Sequence, residues 1–454
     1  MTIRRLALGA VVLAASLSAQ SRPYAPTWAS VDARPTPAWY DQAKFGIFIH
    51  WGVYSVPAFA DPKASGGEAY SEWYWKHLED KAGPTARFHE RVFGAKVRYQ
   101  DFAPQFKAEL FDPAQWADVL ARSGAKYVVL TSKHHDGFAL WPSAQSWNWN
   151  SMDVGPHRDL AGDLSAAVKA RGLKMGFYYS LYEWYNPLYH SDPAAYVAEH
   201  MLPQLKDLVT RYHPAVLWTD GEWEQPSSVW RSPEFLAWLF NDSPVKDSVA
   251  VNDRWGKETR SVHGGFYTTE YGKYNNPAVG MGAQHKWEEC RGMGKSFGYN
   301  RMETPEDYKS AHDLIWLLLD TVSRGGNLLL DIGPTADGRI PVIMQQRLLD
   351  MGGWLGRNGE AVYQTRPWRV AADGPHVDYT AREGAVYAMV DGWPGRTLVL
   401  TAPKSSPQTT VRLLGTTADL GWHQTPTGLQ VELPSAPDDA SPVHVYTFKL
   451  SGVE

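Results

Sequence analysis

Between about Phe45 and Pro334 the chain alternates short apolar runs, each ending in a polar or glycine-rich cluster, with longer stretches carrying helical punctuation. Runs this short and this continuously apolar suit strands covered on both faces. They fall at Phe45–His50, Tyr127–Thr131, Lys174–Ser180, Ala215–Thr219, Val249–Asn252, Phe266–Glu270 and Asn327–Ile332. Helices fit between them. Pro113–Ser123 follows Asp112, Leu160–Ala170 ends in Arg171-Gly172, Ala194–Tyr212 stops before Pro214, and a segment opened by Thr304-Pro305-Glu306 runs to Ser323. Asp or Thr caps, proline in the first turn, and a stop at glycine or before proline are the expected signals. Seven or eight such repeats over roughly 300 residues predict an α/β fold, a (β/α)8-like TIM barrel rather than an open sheet. After Tyr363 the rhythm changes to short alternating runs at Ala385–Val390, Thr397–Thr401, Thr410–Leu414, Gly428–Leu433 and Val443–Leu450, which predict a small C-terminal antiparallel β-sandwich. The segment Ala58–Gly67 reads as a flexible loop on the barrel.

The start of the chain belongs to neither pattern. Arg4 and Arg5 precede an apolar run from Leu6 to Leu17 and small residues through Ala19, the layout of a cleavable secretory signal. The expected division is therefore 1–20 signal peptide, 21–365 catalytic barrel and 366–454 sandwich. No later segment approaches the ~20 apolar residues of a membrane span, so the mature protein is expected to be exported and to have no membrane partner. Cys290 is the single cysteine, so a large core and no intrachain disulfide must hold the fold. A net charge of -5 offers no basic footprint for nucleic acid. The count of 21 Trp, above the 15 Phe, suits stacking on sugar rings and equally suits core packing.

In a barrel the site forms where strands end. His50-Trp51, His134-His135-Asp136, Tyr178-Tyr179-Ser180, Trp218-Thr219-Asp220-Gly221-Glu222 and Asn252-Asp253-Arg254-Trp255 all close apolar runs. Carboxylates, imidazoles, a guanidinium and indoles at one mouth supply hydrogen bonds for sugar hydroxyls and faces for sugar C–H groups. Glycoside cleavage needs two carboxyl groups. Asp220 is the candidate for the one that attacks or activates water, with Gly221 allowing the sharp turn that aims it at the mouth. Candidates for the acid are Glu222, Glu224, Glu270, Glu288 and Glu289, and spacing alone does not decide among them. Glu288, between Trp287 and Glu289, has an apolar wall and a like charge, both of which raise a carboxyl pKa. A metal reading of His134-His135-Asp136 is disfavoured because neighbouring side chains diverge and no third ligand stands at metal spacing. No metal or cofactor is expected. Ser180 lacks the Gly-x-Ser-x-Gly setting of a serine hydrolase.

The runs FGIFIHWG (Phe45–Gly52), YSEWYW (Tyr70–Trp75), SKHHDGFALW (Ser132–Trp141), WTDGEW (Trp218–Trp223), VNDRWG (Val251–Gly256), HKWEEC (His285–Cys290) and SRGGNLLLDIGP (Ser323–Pro334) resemble family 29 of the glycoside hydrolases, the α-L-fucosidases, near the group that includes the animal lysosomal enzymes. The resemblance implies a retaining exo-glycosidase that releases terminal α-L-fucose from fucosylated oligosaccharides or glycoconjugates through a covalent fucosyl-enzyme. It implies Asp220 as nucleophile and Glu288 as acid/base, with Glu289 and Glu270 as its rivals. His50, Glu72, Trp73, His134, His135, Tyr178, Trp218 and Arg254 would line the fucose pocket. Where many relatives have Ser-Trp-Gly-Tyr, this chain has Ser296-Phe297-Gly298-Tyr299, so Phe297 would cover the fucose methyl. The competing readings are a retaining glycosidase for another sugar, such as an α-galactoside, and a non-catalytic sugar-binding barrel.

Overall fold

The computed structural model describes residues 23–271, 285–436 and 442–454. The expected signal peptide and most of the loop after Tyr267 lie outside these residues. Eight parallel strands form the first sheet: β1 (Phe45–Ile49), β2 (Tyr127–Lys133), β3 (Lys174–Ser180), β4 (Val216–Asp220), β5 (Ala250–Val251), β6 (Tyr267–Glu270), β7 (Trp287–Gly292) and β8 (Asn327–Ile332). Their order is β5-β4-β3-β2-β1-β8-β7-β6, a sheet curled into a barrel whose ends are β5 and β6. Two backbone bonds stitch that seam, Gly265 N–H to Asn252 O (3.1 Å) and Phe266 N–H to Val251 O (2.9 Å).

Seven of the eight strands follow the apolar runs, and β7 does not. Its residues are Trp287, Glu288, Glu289, Cys290, Arg291 and Gly292, and all but Arg291 are buried. Charged residues inside a buried strand erase the apolar signal that would announce it. The helix Pro113–Arg122 starts on Asp112, whose carboxylate accepts from the Ala114 and Gln115 amides. The helix expected from Thr304 is shorter, because a single turn at Pro305–Asp307 precedes a fresh start at Ala311, where Ser310 and Asp313 cap each other.

The barrel interior is filled from below. Tyr40, on the short helix Ala38–Ala43 before β1, stacks on Phe266 (4.4 Å) beside Tyr127 (5.5 Å) at the strand starts. Phe48, Tyr178, Trp218 and Cys290 form the level above. Outside the strands, the helices Pro113–Arg122, Leu160–Ala170, Leu202–Tyr212, Ser232–Asn241, Ala311–Ser323 and Val342–Asn358 bury their apolar faces against the sheet.

The C-terminal unit is two antiparallel sheets. One has the order β13 (Ser405–Leu413), β16 (Val445–Val453), β11 (Ala385–Asp391), β10 (Val377–Arg382), β9 (Arg366–Ala372). The other is β12 (Thr397–Leu400), β15 (Gly428–Glu432), β14 (Trp422–Thr425). Tyr379, Val386, Leu400, Val411, Val431 and Phe448 pack between them.

Candidate active site

Asp220 is the last residue of β4 and is turned into the barrel mouth, 8% exposed. The turn depends on Gly221, whose φ of +72° is unfavourable for a side chain and whose absent Cβ would meet Tyr182 Cβ at 2.5 Å. Arg254 donates from Nη1 to Asp220 Oδ1 (2.7 Å) and the Tyr178 hydroxyl donates to Oδ2 (3.0 Å). Tyr178 rather than Tyr179 points inward; Tyr179 bonds Gln204 on the helix side. Burial alone pushes the Asp220 carboxyl up, but the charges of Arg254, His135 and Arg260 outweigh it and hold the group down to about 2. Its ionised form is therefore favoured well below the usual carboxylate range.

Arg254 is fixed in turn. Its Nε donates to Thr268 Oγ1 (2.9 Å), its guanidinium lies over the Trp218 ring at 4.3 Å, and its other arm forms an ion pair with Glu270. One planar cation thus bridges the carboxylates of Asp220 and Glu270, with Glu270 at the end of β6.

The three expected imidazoles converge here. His50 Nδ1 and Asp331 Oδ1 meet at 2.6 Å, and burial lowers the imidazole to about 3 while it pushes the carboxyl up. The contact fixes the ring of His50 and leaves its Nε2 outside the pair, on a residue that lines the cavity. His135, lowered to about 4 chiefly by burial, gives its Nδ1 proton to Ser180 Oγ (2.6 Å), because that hydroxyl is already donating to Tyr182 O (2.6 Å). Its Nε2 is then an acceptor, 3.7 Å from Asp220 Oδ2. His134 stacks on Tyr178 (5.5 Å, 13°), and its buried Nδ1 has no partner among the described residues. These groups are suited to hydroxyls of a ligand.

Glu72 is buried and accepts from the Gly298 amide (2.8 Å) and Ser296 Oγ (3.3 Å); burial pushes its carboxyl up to about 7. Trp73 meets His135 edge-on at 5.2 Å. Phe297 lies 5.1 Å from His50 and 5.2 Å from Tyr70. Asp220, Tyr178, Trp218, Arg254, Glu270, the three imidazoles, Tyr70, Glu72, Trp73 and Phe297, with Phe48, Trp223 and Cys290, line one cavity of about 130 Å³.

Glu288 does not line it. Side chains alternate along a strand, so Glu288 and Cys290 face inward and Glu289 faces out, where it pairs with Arg291. Parallel pairing sets Glu288 level with Thr268 and Cys290 level with Glu270. Glu288 is therefore one layer too deep. It is 0% exposed, accepts from the Tyr40 and Tyr127 hydroxyls and from Trp218 Nε1 (2.9 Å), and lies outside the pocket lining. Two phenols and the indole of Trp218, which itself lines the pocket, thus stand around Glu288, and the indole donates to it from the pocket layer. The carboxyl group at pocket level on this side is Glu270.

Sequence reading did not single out Asp331, Ser180 or Thr268 as orienting partners, nor Phe48, Tyr70 and Trp223 as lining. Phe48 was accessible by parity, two positions before His50 on β1. Asp331 stood inside an apolar strand, where a lone carboxylate calls for a buried partner.

A parallel barrel whose mouth gathers ionised and hydrogen-bonded carboxyls, neutral imidazoles and indoles around a one-ring cavity defines a carbohydrate-processing barrel enzyme. Comparison with known proteins narrows the class. Residues 11–360 match the family model described as α-L-fucosidase, and residues 373–451 match the α-L-fucosidase C-terminal domain. The chain is 48% identical over 460 residues to the α-L-fucosidase of Branchiostoma floridae, covering 98% of this chain and 100% of that protein. It is 46% identical to the human tissue α-L-fucosidase over 446 residues, 95% of this chain and 93% of the relative. The crystal structure of Thermotoga maritima α-fucosidase with a mechanism-based inhibitor superposes with a TM-score of 0.83 at 37% identity, covering 94% and 99% of the two chains. The chain belongs to the α-L-fucosidase family of glycoside hydrolases.

Proposed function

We propose that the protein hydrolyses terminal α-L-fucose from fucosylated glycans with retention, by double displacement. Asp220 attacks C1 as Glu270 protonates the departing glycosidic oxygen. Glu270, now a carboxylate, takes a proton from water, the water oxygen bonds C1, and the C1–Asp220 bond breaks to release fucose. The observation that carries this reading is the Arg254 guanidinium, which pairs with both Asp220 and Glu270 and so holds two carboxyl groups at one cavity; a retaining pair needs them ~5–5.5 Å apart. Arg254 also keeps the attacking group ionised, while His50, His134 and His135 offer ring nitrogens to the sugar hydroxyls. The rings of Phe48, Tyr70 and Phe297 supply an apolar wall suited to a 6-deoxy sugar. The layout of residues 1–20 supports export before the enzyme acts.

Azide separates the two roles. Asp220→Gly should lose turnover on an aryl α-L-fucoside and regain it with azide as the β-L-fucosyl azide, formed by direct attack. Glu270→Ala, which keeps the nucleophile, should yield the α-L-fucosyl azide from the covalent intermediate. Recovery of the α-azide from Glu288→Ala and not from Glu270→Ala would return the acid/base role to Glu288.

A further inference from the structure

A cavity of about 130 Å³ is well below the roughly 300–1,000 Å³ of sites that enclose drug-sized ligands, so it admits one sugar ring and leaves the rest of a glycan outside. The residue at that threshold is Trp223. It lines the same cavity as Asp220 yet is 39% exposed, while Trp218 below it is 1% exposed. Its ring is held by Trp73 (6.0 Å, 35°), His135 (5.5 Å) and Tyr182 (5.9 Å). An indole contacted by three aromatic neighbours and still 39% exposed presents apolar surface with part of its ordering cost already met. Exposure alone is ordinary for a single side chain; what sets Trp223 apart is that the exposed indole also lines the cavity that holds Asp220.

We infer that Trp223 is the platform for the pyranose ring that carries the fucose, stacking on the C–H face of the leaving-group sugar. The inference rests on the fucosidase reading and deepens it, since it assigns recognition of the aglycone to a residue that takes no part in bond cleavage. The platform favours a sugar with an unbroken apolar face next to the scissile bond and is indifferent to a leaving group too small to stack.

The test compares kcat/KM for a fucosyl-galactose disaccharide with that for α-L-fucosyl fluoride, whose leaving group has no ring. Trp223→Ala should lower the disaccharide value about tenfold or more and the fluoride value no more than about threefold, with Trp223→Phe in between. Trp147, 76% exposed and away from the pocket, serves as the control, and Trp147→Ala should change neither value. Equal losses on both substrates, or no loss on the disaccharide, overturn the assignment of Trp223. Failure of the unsubstituted protein to cleave the fluoride would instead overturn the fucosidase reading, so the two failures are distinguishable.

Discussion

Two guanidinium groups face the same oxygen of Asp220: Arg254 Nη1 at 2.7 Å and Arg260 Nη2 at 3.6 Å. Arg260 is in turn anchored by the buried Glu222, and it is the more exposed of the two, so its charge can be removed without opening the barrel. Because Asp220 is held below its ordinary value by these cations against the upward push of burial, losing one of them raises its pKa. Arg260→Gln should therefore shift the acidic limb of the kcat/KM profile upward by about one pH unit, the lower end of what a nearby opposite charge contributes. An unmoved limb would mean that Arg260 plays no part in setting the ionisation, which Arg254 and His135 then carry. Glu270 and Glu288 differ in a way kinetics and stability read separately. Glu270→Ala should cost natural glycans far more than aryl fucosides, whose leaving groups need little protonation. Glu288→Ala strands two phenols and an indole in the core. It should lower urea-unfolding stability by about 2–5 kcal/mol and reduce turnover on both substrate types equally.

At the scale of elements, the strand ends were legible because a parallel barrel writes them twice, as an apolar run and as the polar residues that close it. His50, His134, His135, Asp220 and Arg254 were all found that way. The rest was hidden by β7. With HKWEEC lacking a strand signature, Glu288 stood as a loop residue against an apolar wall, and only strand parity and the register with β6 move it beneath the pocket. Burial of a paired charge is a tertiary fact: the phenols of Tyr40 and Tyr127 that make it tolerable are 248 and 161 positions away in sequence. The seam between β5 and β6 carries a similar dependence. A Cβ on Gly265 would stand 2.0 Å from the Val251 carbonyl oxygen, a backbone atom that cannot step aside while the seam is closed. Gly265→Ala should open the two bonds there and displace Thr268 and Glu270 behind them. The expected result is a lower urea midpoint, by about 1–3 kcal/mol, together with reduced kcat. A stability loss without a kinetic one would show that β6 keeps its position independently of the seam.

At the scale of the whole molecule, the tryptophan count divides mostly in favour of packing. Trp51, Trp116, Trp141, Trp230, Trp255 and Trp287 are fully buried away from the pocket, while Trp73, Trp218 and Trp223 line it. Among the described residues, those lining the pocket all come from the barrel. The place of the sandwich is behind the barrel: Ala385, Tyr387, Met389, Val443 and Val445 join the core formed by the barrel helices, and Trp354 donates to the Val445 carbonyl (2.8 Å). Thr380 likewise donates to Ala361 O (2.7 Å), and His312 pairs with Asp391 (2.8 Å). An apolar interface of this kind makes two units unfold as one, because neither can expose it alone. Met389→Ala, at a fully buried site in the sandwich, should therefore lower the midpoint of the barrel's near-UV aromatic signal as much as that of the strand signal, by a cost of about 2–5 kcal/mol. A chain ending at Thr365 keeps every pocket residue yet leaves the outer faces of Ala311–Ser323 and Val342–Asn358 bare, and should elute as aggregate without fucosidase activity. Two separate transitions in the Met389 variant, with the aromatic signal unmoved, would instead make the sandwich a dispensable appendage.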